Sequence, residues 1–246
     1  MKPFLLLQIR PSNTASDNEF EAFLKYGKLR NDEVHRVRME NGGLPKIDLS
    51  DYSGVIIGGG PALVSDPIYL QSKAQVQYEA QLKPLLEEII EIDFPFMGVC
   101  YGLGILAKHL HCEISTKKYF EEVGVIKLHC TDEAKNDPLT FDLPPEFYAL
   151  GGHKEACLTS PSESVLLMTS EACPIQMIRI KKNIYATQFH TELDHEGLAL
   201  RVNIYKNAGY FPPNEANFII QQAKNFHITL PHLILERFTV KYQLSN

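Results

Sequence analysis

The sequence predicts an α/β protein with a mostly parallel sheet, helices on both faces of the sheet and an antiparallel extension. Short apolar runs alternate with helical patterns from residue 4 to residue 110, an order that requires parallel strands joined by right-handed crossovers. Over residues 113–185 the pattern changes to short strands and turns. We interpret this second stretch as antiparallel strands that continue the same sheet.

The first half of the chain supplies the predicted parallel strands. Residues 4–9 form an apolar run typical of a buried strand, and Ser16 with Glu19 forms a capping-box pattern that predicts a helix ending at Gly27. Three further elements are predicted before residue 93, namely a strand over residues 34–39, a strand that ends at the glycines of residues 58–60, and a helix over residues 68–92. A ligand site is then expected where the parallel strands end.

The second half supplies the extension and the last helices. Short strands are predicted at residues 124–128, 147–150, 165–169, 175–180 and 184–189, with a surface loop over residues 132–145. A helix is predicted over residues 195–207, and Pro212 and Pro231 each begin another. The inward residues predicted for these last two helices are Phe218, Ile219, Phe226, Leu233, Ile234 and Phe238.

The chain is expected to form one domain, with a core of residues 1–205 and a helical extension of residues 206–246. This extension either caps the fold or forms a contact between subunits. A homo-oligomer is therefore one of the two alternatives.

Composition limits the classes of partner. The 246 residues are 44% hydrophobic, which supports a sizeable core, and the formal net charge of -6 argues against a nucleic-acid partner. Five cysteines without a Cys-x-x-Cys pattern indicate a reducing compartment. No apolar run approaches the ~18 residues of a membrane span. We therefore expect a cytoplasmic protein with no membrane partner.

Cys100 lies in a turn between a predicted strand and a predicted helix. Gly98 and Gly102 flank it symmetrically, as a sharp strand-to-helix turn requires, because its close neighbours leave little room for side chains. At the first turn of a helix, unpaired N–H groups and the helix dipole favour a thiolate. The pattern predicts a nucleophilic cysteine, with a buried core cysteine as the alternative.

His190 and Glu192 stand two residues apart, directly after a strand-like run. In an extended conformation both side chains project to the same side, so the carboxylate can bind one imidazole nitrogen while the other nitrogen faces the sulfur of Cys100. A Cys-His-Glu triad is therefore predicted. The alternative is a solvated strand end.

The glycines of residues 58–60, followed by Pro61, end another apolar run. Glycines let backbone N–H groups approach a ligand closely, whereas proline has no N–H to offer. The amide of Gly59 or Gly60, together with that of Tyr101, forms a candidate oxyanion hole. A phosphate-binding turn is the alternative, although no Gly-x-Gly-x-x-Gly or Walker-type Lys-Ser/Thr follows.

In this order the motifs resemble those of class I (triad) glutamine amidotransferases, in particular the glutaminase domain of GMP synthase and its free-standing relatives. The motifs are Gly-Gly-Pro after a strand, Gly-x-Cys-x-Gly at an elbow and Gln-Phe-His-x-Glu near the end. Residues 151–156 and 170–176 are similar to the family's Ser-His-x-Asp segment and the strand after it. The resemblance covers residues 1–205 and implies a flavodoxin-like class I amidotransferase architecture. The catalytic residues that it implies are Cys100, His190 and Glu192.

Two positions depart from the family pattern. Gly104 stands where the family usually has a glutamine that helps to hold the substrate, and Thr191 replaces a proline. Losing the proline removes no functional group, but losing the glutamine makes specificity for free glutamine less secure than the thiol chemistry. His153 either lines the substrate pocket or closes a turn. The residues expected at the oxyanion and substrate site are Gly59, Gly60, Tyr101, Gly104 and His153.

The resemblance implies hydrolysis of glutamine, or of another γ-glutamyl compound, through a cysteine thioester and without a cofactor. The sequence shows no amidating domain or ATP-binding loop, so a separate ammonia-accepting synthetase subunit and a stand-alone hydrolase both fit. A γ-glutamyl peptidase is the alternative enzyme, because Gly104 leaves room for a larger substrate. A catalytically impaired binding or regulatory protein of the same fold is the alternative outside enzymes.

No metal site is predicted. His109, His111 and Cys112 lie at a helix end that points their side chains in different directions. His195 lies near His190 and Glu192, but a fourth ligand is missing. The other cysteines, which we expect to be packing residues, are Cys112, Cys130, Cys157 and Cys173.

Overall fold

A mixed β-sheet forms the centre of the molecule, for which a computed structural model describes residues 2–243. The strands are β1 (Phe4–Gln8), β2 (Val34–Arg38), β3 (Gly54–Ile57), β4 (Phe96–Val99), β5 (Ile114–Ser115), β6 (Glu121–Cys130), β7 (Glu146–His153), β8 (Ala156–Cys157), β9 (Ser164–Ser170), β10 (Met177–Ile180) and β11 (Ile184–Thr187). Nine of them form one sheet in the order β2-β1-β3-β4-β11-β10-β9-β6-β7, and β5 pairs with β8. The strands from β2 to β11 in this order are parallel, and β10, β9, β6 and β7 continue the sheet in antiparallel fashion.

Helices cover both faces of this sheet. They are α1 (Asn13–Tyr26), α2 (Lys73–Glu91), α3 (Tyr101–His109), α4 (His195–Tyr205), α5 (Ala216–Ala223) and α6 (Leu230–Gln243). Successive residues of β1 point to opposite faces, so Leu5 packs in the cluster with α2 and α3, while Phe4 packs in the cluster with α1 and α6. A third cluster joins α4 and α5 to Leu150 of β7. The predicted α/β class, with its parallel sheet and antiparallel extension, is confirmed.

The carboxyl ends of three neighbouring strands bring the sequence motifs together. β3 lies beside β4, and β4 lies beside β11, all three parallel. The glycines of residues 58–60, Cys100 and the segment from Gln188 to His190 therefore follow strand ends at the same edge of the sheet. This is the edge at which parallel α/β sheets bind ligands.

Two helices begin elsewhere than predicted. Ser12, not Ser16, caps α1 through a bond from the amide of Ala15, and Glu19 is a fully buried residue inside the helix. α2 is capped by Ser72 and includes Pro84. The apolar residues at positions 68–70 precede this helix and are exposed.

Two further expectations are corrected by burial. Residues 132–145 are not a simple surface loop, because Leu139 is fully buried and the buried Asp137 accepts a 2.7 Å bond from Arg179. Phe218 of α5 is 63% exposed, whereas Ala216 and Ala223 are the buried residues of this helix. The division into a core of residues 1–205 and an extension of residues 206–246 stays a prediction.

The turn from β4 into α3 is closely packed. A Cβ atom at Gly98 would lie 2.6 Å from the backbone C and O atoms of Gly102, and one at Gly102 would lie 2.6 Å from the carbonyl oxygen of Ile57. Cys100 between them has φ 56° and ψ -96°, a positive-φ backbone conformation outside the regions that non-glycine residues ordinarily occupy, and it therefore costs energy. The predicted elbow is therefore present, and it holds Cys100 in a strained conformation.

We expect Gly98→Ala to lower the free energy of unfolding by about 1–3 kcal/mol, because backbone atoms of the elbow cannot move aside as a flexible side chain can. The matched control is Gly104→Ala, where the nearest atom to the new Cβ is Cγ2 of Val64 at 3.2 Å. Its helix position favours alanine, so its stability is expected to stay within about 1 kcal/mol of wild type. Urea unfolding of both variants measures the difference, and an equal loss in the two would contradict this account of the elbow.

Candidate active site

Cys100 is the N-cap residue directly before α3, where backbone bonds hold it at the end of β4. Its amide donates to the carbonyl oxygen of Thr187 at 2.7 Å, and its own carbonyl accepts from the amide of Leu103 at 3.0 Å. Nε2 of Gln188 lies 4.0 Å from Sγ. The thiol therefore stands at the N-terminus of the helix, between the ends of β4 and β11.

Backbone and side-chain bonds hold His190 on the wall of a cavity that Cys100 also lines. Its amide donates to the carbonyl of Leu150 at 2.9 Å, so an antiparallel bridge to β7 holds the backbone. Nδ1 lies 2.9 Å from Oε1 of Glu192. The imidazole and Cys100 line the same cavity, and the Cys100 side chain is close enough to raise the pKa of His190. The structure thus brings Cys100, His190 and Glu192 together, with the imidazole between the thiol and the carboxylate.

Arg201 of α4 is a fourth member of this group that the sequence analysis missed. Its Nη1 donates to Oε1 of Glu192 at 2.9 Å, and both side chains are buried. A lone arginine in a helical pattern carries no signal of this role. The guanidinium and the imidazole together surround the buried carboxylate with two partners.

The electrostatic environment of the site favours the charged forms of both His190 and Glu192. Burial alone would lower the pKa of His190, but the Glu192 carboxylate and the neighbouring Cys100 side chain raise it to about 9. Burial would likewise raise the pKa of Glu192, but His190 and Arg201 hold it well below its ordinary range. A buried ion pair with these partners keeps the imidazole oriented toward the sulfur.

A second buried ion pair supports the glycine turn behind His190. Glu19 of α1 accepts from Nε of Arg10 at 2.8 Å and from the amide of Gly59 at 3.2 Å. A Cβ atom at Gly59 would lie 2.6 Å from Cε1 of His190, so only glycine lets the turn approach the imidazole this closely. The amide of Gly59 is thereby engaged.

Because the amide of Gly59 is bonded to Glu19, two of the three candidate oxyanion donors remain. No partner within residues 2–243 takes up the amide of Gly60, and the amide of Tyr101 is at the first position of α3, where helix amides have no intrahelical acceptor. Of the three amides expected to donate here, those of Gly60 and Tyr101 are therefore free to bind a ligand within the described residues 2–243. An anionic oxygen beside Cys100 would be stabilised by them.

Two small cavities meet at Cys100, Gly60 and Tyr210. The first, called here the Gly104 cavity, has a volume of about 30 Å³, and its walls include Tyr101, Gly104, His153 and Glu155. The second, called the Arg201 cavity, has a volume of about 60 Å³, and its walls include Arg10, His190, Leu198, Arg201, Val202 and Tyr205. The thiol can therefore meet a ligand that extends in two directions.

The Gly104 cavity is narrower than the missing side chain suggests. A Cβ atom at Gly104 would lie 3.2 Å from Val64 and 3.8 Å from Oε1 of Glu155. The Glu155 carboxylate in turn accepts from the amides of Val64 and Ser65 at 2.8 and 3.0 Å. These residues, which sequence reasoning did not single out, fill the space beside Gly104.

His153 both lines the Gly104 cavity and closes a local network. Its Nε2 lies 2.8 Å from Oε2 of Glu121, and its Nδ1 lies 2.9 Å from the carbonyl oxygen of Glu155. The two alternatives stated for this residue are therefore compatible.

The remaining cysteines and histidines are distributed through the molecule. Cys157 and Cys173 are buried, and Cys112 and Cys130 are half-buried. Within residues 2–243, no group of three or more His, Cys, Asp or Glu side chains is arranged to hold a metal ion. The helices of the same residues include none that is both long and apolar enough to cross a bilayer.

Comparison with known proteins gives one family and related sequences. The family model described as Glutamine amidotransferase class-I matches residues 16–201. A protein of Sulfurisphaera tokodaii, named as one subunit of a glutamine-hydrolyzing GMP synthase, is 29% identical over 160 residues, which cover 65% of this chain and 76% of that protein. GMP synthase of Petrotoga mobilis is 27% identical over 162 residues, but the matched region spans only 28% of its length.

Solved structures share the fold at lower identity. A glutamine amidotransferase from Thermotoga maritima superimposes with a TM-score of 0.76 at 19% identity, covering 97% of this chain and 99% of that one. A glutamine amidotransferase from Methylobacillus flagellatus gives a TM-score of 0.72 at 18% identity, covering 98% and 95%. The architecture of the present chain is therefore the one found in these proteins.

The raised pKa of His190 predicts a pH-dependent stability. A group whose pKa rises from 6.5 to about 9 on folding stabilises the protein fully below pH 6.5, and this contribution is lost as the pH rises through about 9. In wild type, this titration should lower the free energy of unfolding by up to about 3 kcal/mol between pH 6.5 and about 9. We expect His190→Gln to lack this pH-dependent decrease. Urea unfolding at several pH values measures it. His195→Gln is the control, and an unchanged pH profile in His190→Gln would refute the assignment.

Proposed function

Since this chain belongs to the class-I glutamine amidotransferase family, we propose that it hydrolyses a γ-glutamyl amide, with glutamine as the simplest substrate. The observation that carries the proposal is that Cys100 and His190 line one cavity, while Oε1 of Glu192 lies 2.9 Å from Nδ1 of the same imidazole. Nucleophile, base and orienting carboxylate are the three parts that acyl transfer by a thiol requires.

In the proposed reaction Cys100 attacks the side-chain carbonyl of the substrate. His190 moves the proton from the thiol to the leaving nitrogen, and Glu192 fixes the imidazole so that Nδ1 faces the carboxylate. The amides of Gly60 and Tyr101 stabilise the oxyanion, a contribution of about 3 kcal/mol per donor in other enzymes. The amine leaves, a γ-glutamyl thioester remains on Cys100, and water releases glutamate and regenerates the thiol.

The strained backbone of Cys100 supports this role. A φ of 56° at a non-glycine residue is held by the packing of the elbow, and such strain is common where a side chain must be presented to a ligand. A cysteine needed only for packing gains nothing from this conformation. The buried core cysteine named as the alternative is therefore the weaker interpretation.

The fate of the released ammonia is a separate part of the proposal. The Sulfurisphaera tokodaii relative is named as one subunit of a GMP synthase, and a separate ammonia-accepting synthetase subunit would fit that similarity. Stand-alone hydrolysis needs no such partner. Steady release of glutamate by the purified chain alone would favour the stand-alone enzyme, whereas release only on adding a synthetase subunit would favour the assembly.

We expect Cys100→Ala to reduce glutamine hydrolysis by about three orders of magnitude or more, as loss of a nucleophile does in other triads. Cys130→Ala, which alters a half-buried cysteine on β6, is the control and should retain wild-type turnover. Mass spectrometry of wild type quenched during turnover should show a γ-glutamyl adduct on the peptide that contains Cys100.

Two results would overturn the proposal. One is wild-type turnover in Cys100→Ala. The other is the absence of both turnover and adduct, combined with alkylation of Cys100 by iodoacetamide no faster than that of the other cysteines. The second result would favour a binding or regulatory protein of the same fold.

A further inference from the structure

The Arg201 cavity is larger than ammonia requires. Its volume is about 60 Å³, whereas a site for one water-sized molecule needs ~10–15 Å³. Ammonia is close to water in size. The cavity can therefore hold several non-hydrogen atoms beside the thiol, which free glutamine does not supply on its leaving side.

The position of His190 identifies which end of a substrate faces this cavity. His190 lines the Arg201 cavity but is not among the walls of the Gly104 cavity. The group that protonates a leaving nitrogen must lie within hydrogen-bonding reach of that nitrogen. On the reaction proposed above, the leaving amine therefore faces the Arg201 cavity, and the γ-glutamyl group faces the Gly104 cavity.

The walls of the Arg201 cavity match a small amino acid. Leu198 and Val202 provide apolar surface, and Arg201 and Tyr205 bring polar groups. Nε and Nη2 of Arg201 and the hydroxyl of Tyr205 are buried without a hydrogen-bond partner in residues 2–243. Unpaired buried donors are costly and call for an acceptor, and a carboxylate suits a guanidinium best.

From these observations we infer that the substrate is a γ-glutamyl dipeptide with a small apolar second residue. The inference rests on the proposed thiol chemistry and names its leaving group. Cys100 forms the S–C bond to the γ-carbonyl, the C–N bond breaks, and the amino acid leaves with a proton from His190. Water then cleaves the thioester, so γ-glutamylalanine and water give glutamate and alanine.

The test compares three substrates with the full chain. They are γ-glutamylalanine, γ-glutamylethylamide, which keeps the methyl group of the alanine but has hydrogen in place of its carboxylate, and glutamine. We expect kcat/KM for the dipeptide to equal or exceed that for glutamine, and to exceed that for the ethylamide at least tenfold.

Two variants test the walls of the cavity. Tyr205→Phe should lower the ratio of dipeptide to ethylamide kcat/KM at least about tenfold, as loss of a hydrogen bond to a charged group does. Val202→Phe should lower the ratio of dipeptide to glutamine at least tenfold, because the added ring occupies the cavity. Tyr69→Phe, at a side chain that is 82% exposed, is the control and should leave both ratios unchanged.

The outcomes separate this inference from the proposed function. Glutamine turnover with dipeptide turnover below about a hundredth of it would overturn the inference alone, leaving a cavity that serves ammonia and water. Unchanged ratios in both Tyr205→Phe and Val202→Phe would also overturn it. Failure of all three substrates, with no adduct on Cys100, would overturn the proposed function and this inference together.

Discussion

The arrangement around Cys100 depends on the buried carboxylate of Glu192. A carboxylate in an apolar interior is costly unless charged partners surround it, and Glu192 has two, His190 and Arg201, each at 2.9 Å. The same contact that keeps Glu192 ionised directs the imidazole toward the thiol. Because Arg201 belongs to α4, the packing of that helix on the sheet becomes a condition for the geometry of the site.

The sequence predicts this site where local rules determine the geometry, and fails where tertiary packing does. The ends of neighbouring parallel strands bring Cys100 and the segment with His190 and Glu192 to one edge, although β11 ends at Thr187 and the segment itself is bent. In the sequence, Glu19 fits two roles equally well: the acidic residue of a capping box and the buried ion-pair partner of Arg10. Its burial in the structure shows that the second role applies. The role of Arg201 is equally hard to predict, because its partner Glu192 lies outside α4.

Fold prediction fails for the same reason at element boundaries. The apolar residues at positions 68–70 match a helical pattern, yet α2 begins after its cap at Ser72 and leaves them exposed. Phe218 fits the apolar face of α5, but close packing of that short helix uses Ala216 and Ala223 instead. Periodicity records which residues are apolar, not which neighbour is available to cover them.

Gly104 illustrates how a missing side chain can mislead about the size of a site. The space that a larger residue would occupy is taken by Val64 and by Glu155, whose carboxylate anchors the loop after the glycine turn. That loop follows directly from Gly60, so the anchor also helps to hold one of the candidate oxyanion donors. In the proposed reaction the acyl side is accordingly the smaller cavity, at about 30 Å³ against about 60 Å³. The larger space beside the thiol is therefore the one that His190 lines, and not the one where the sequence departs from the family pattern.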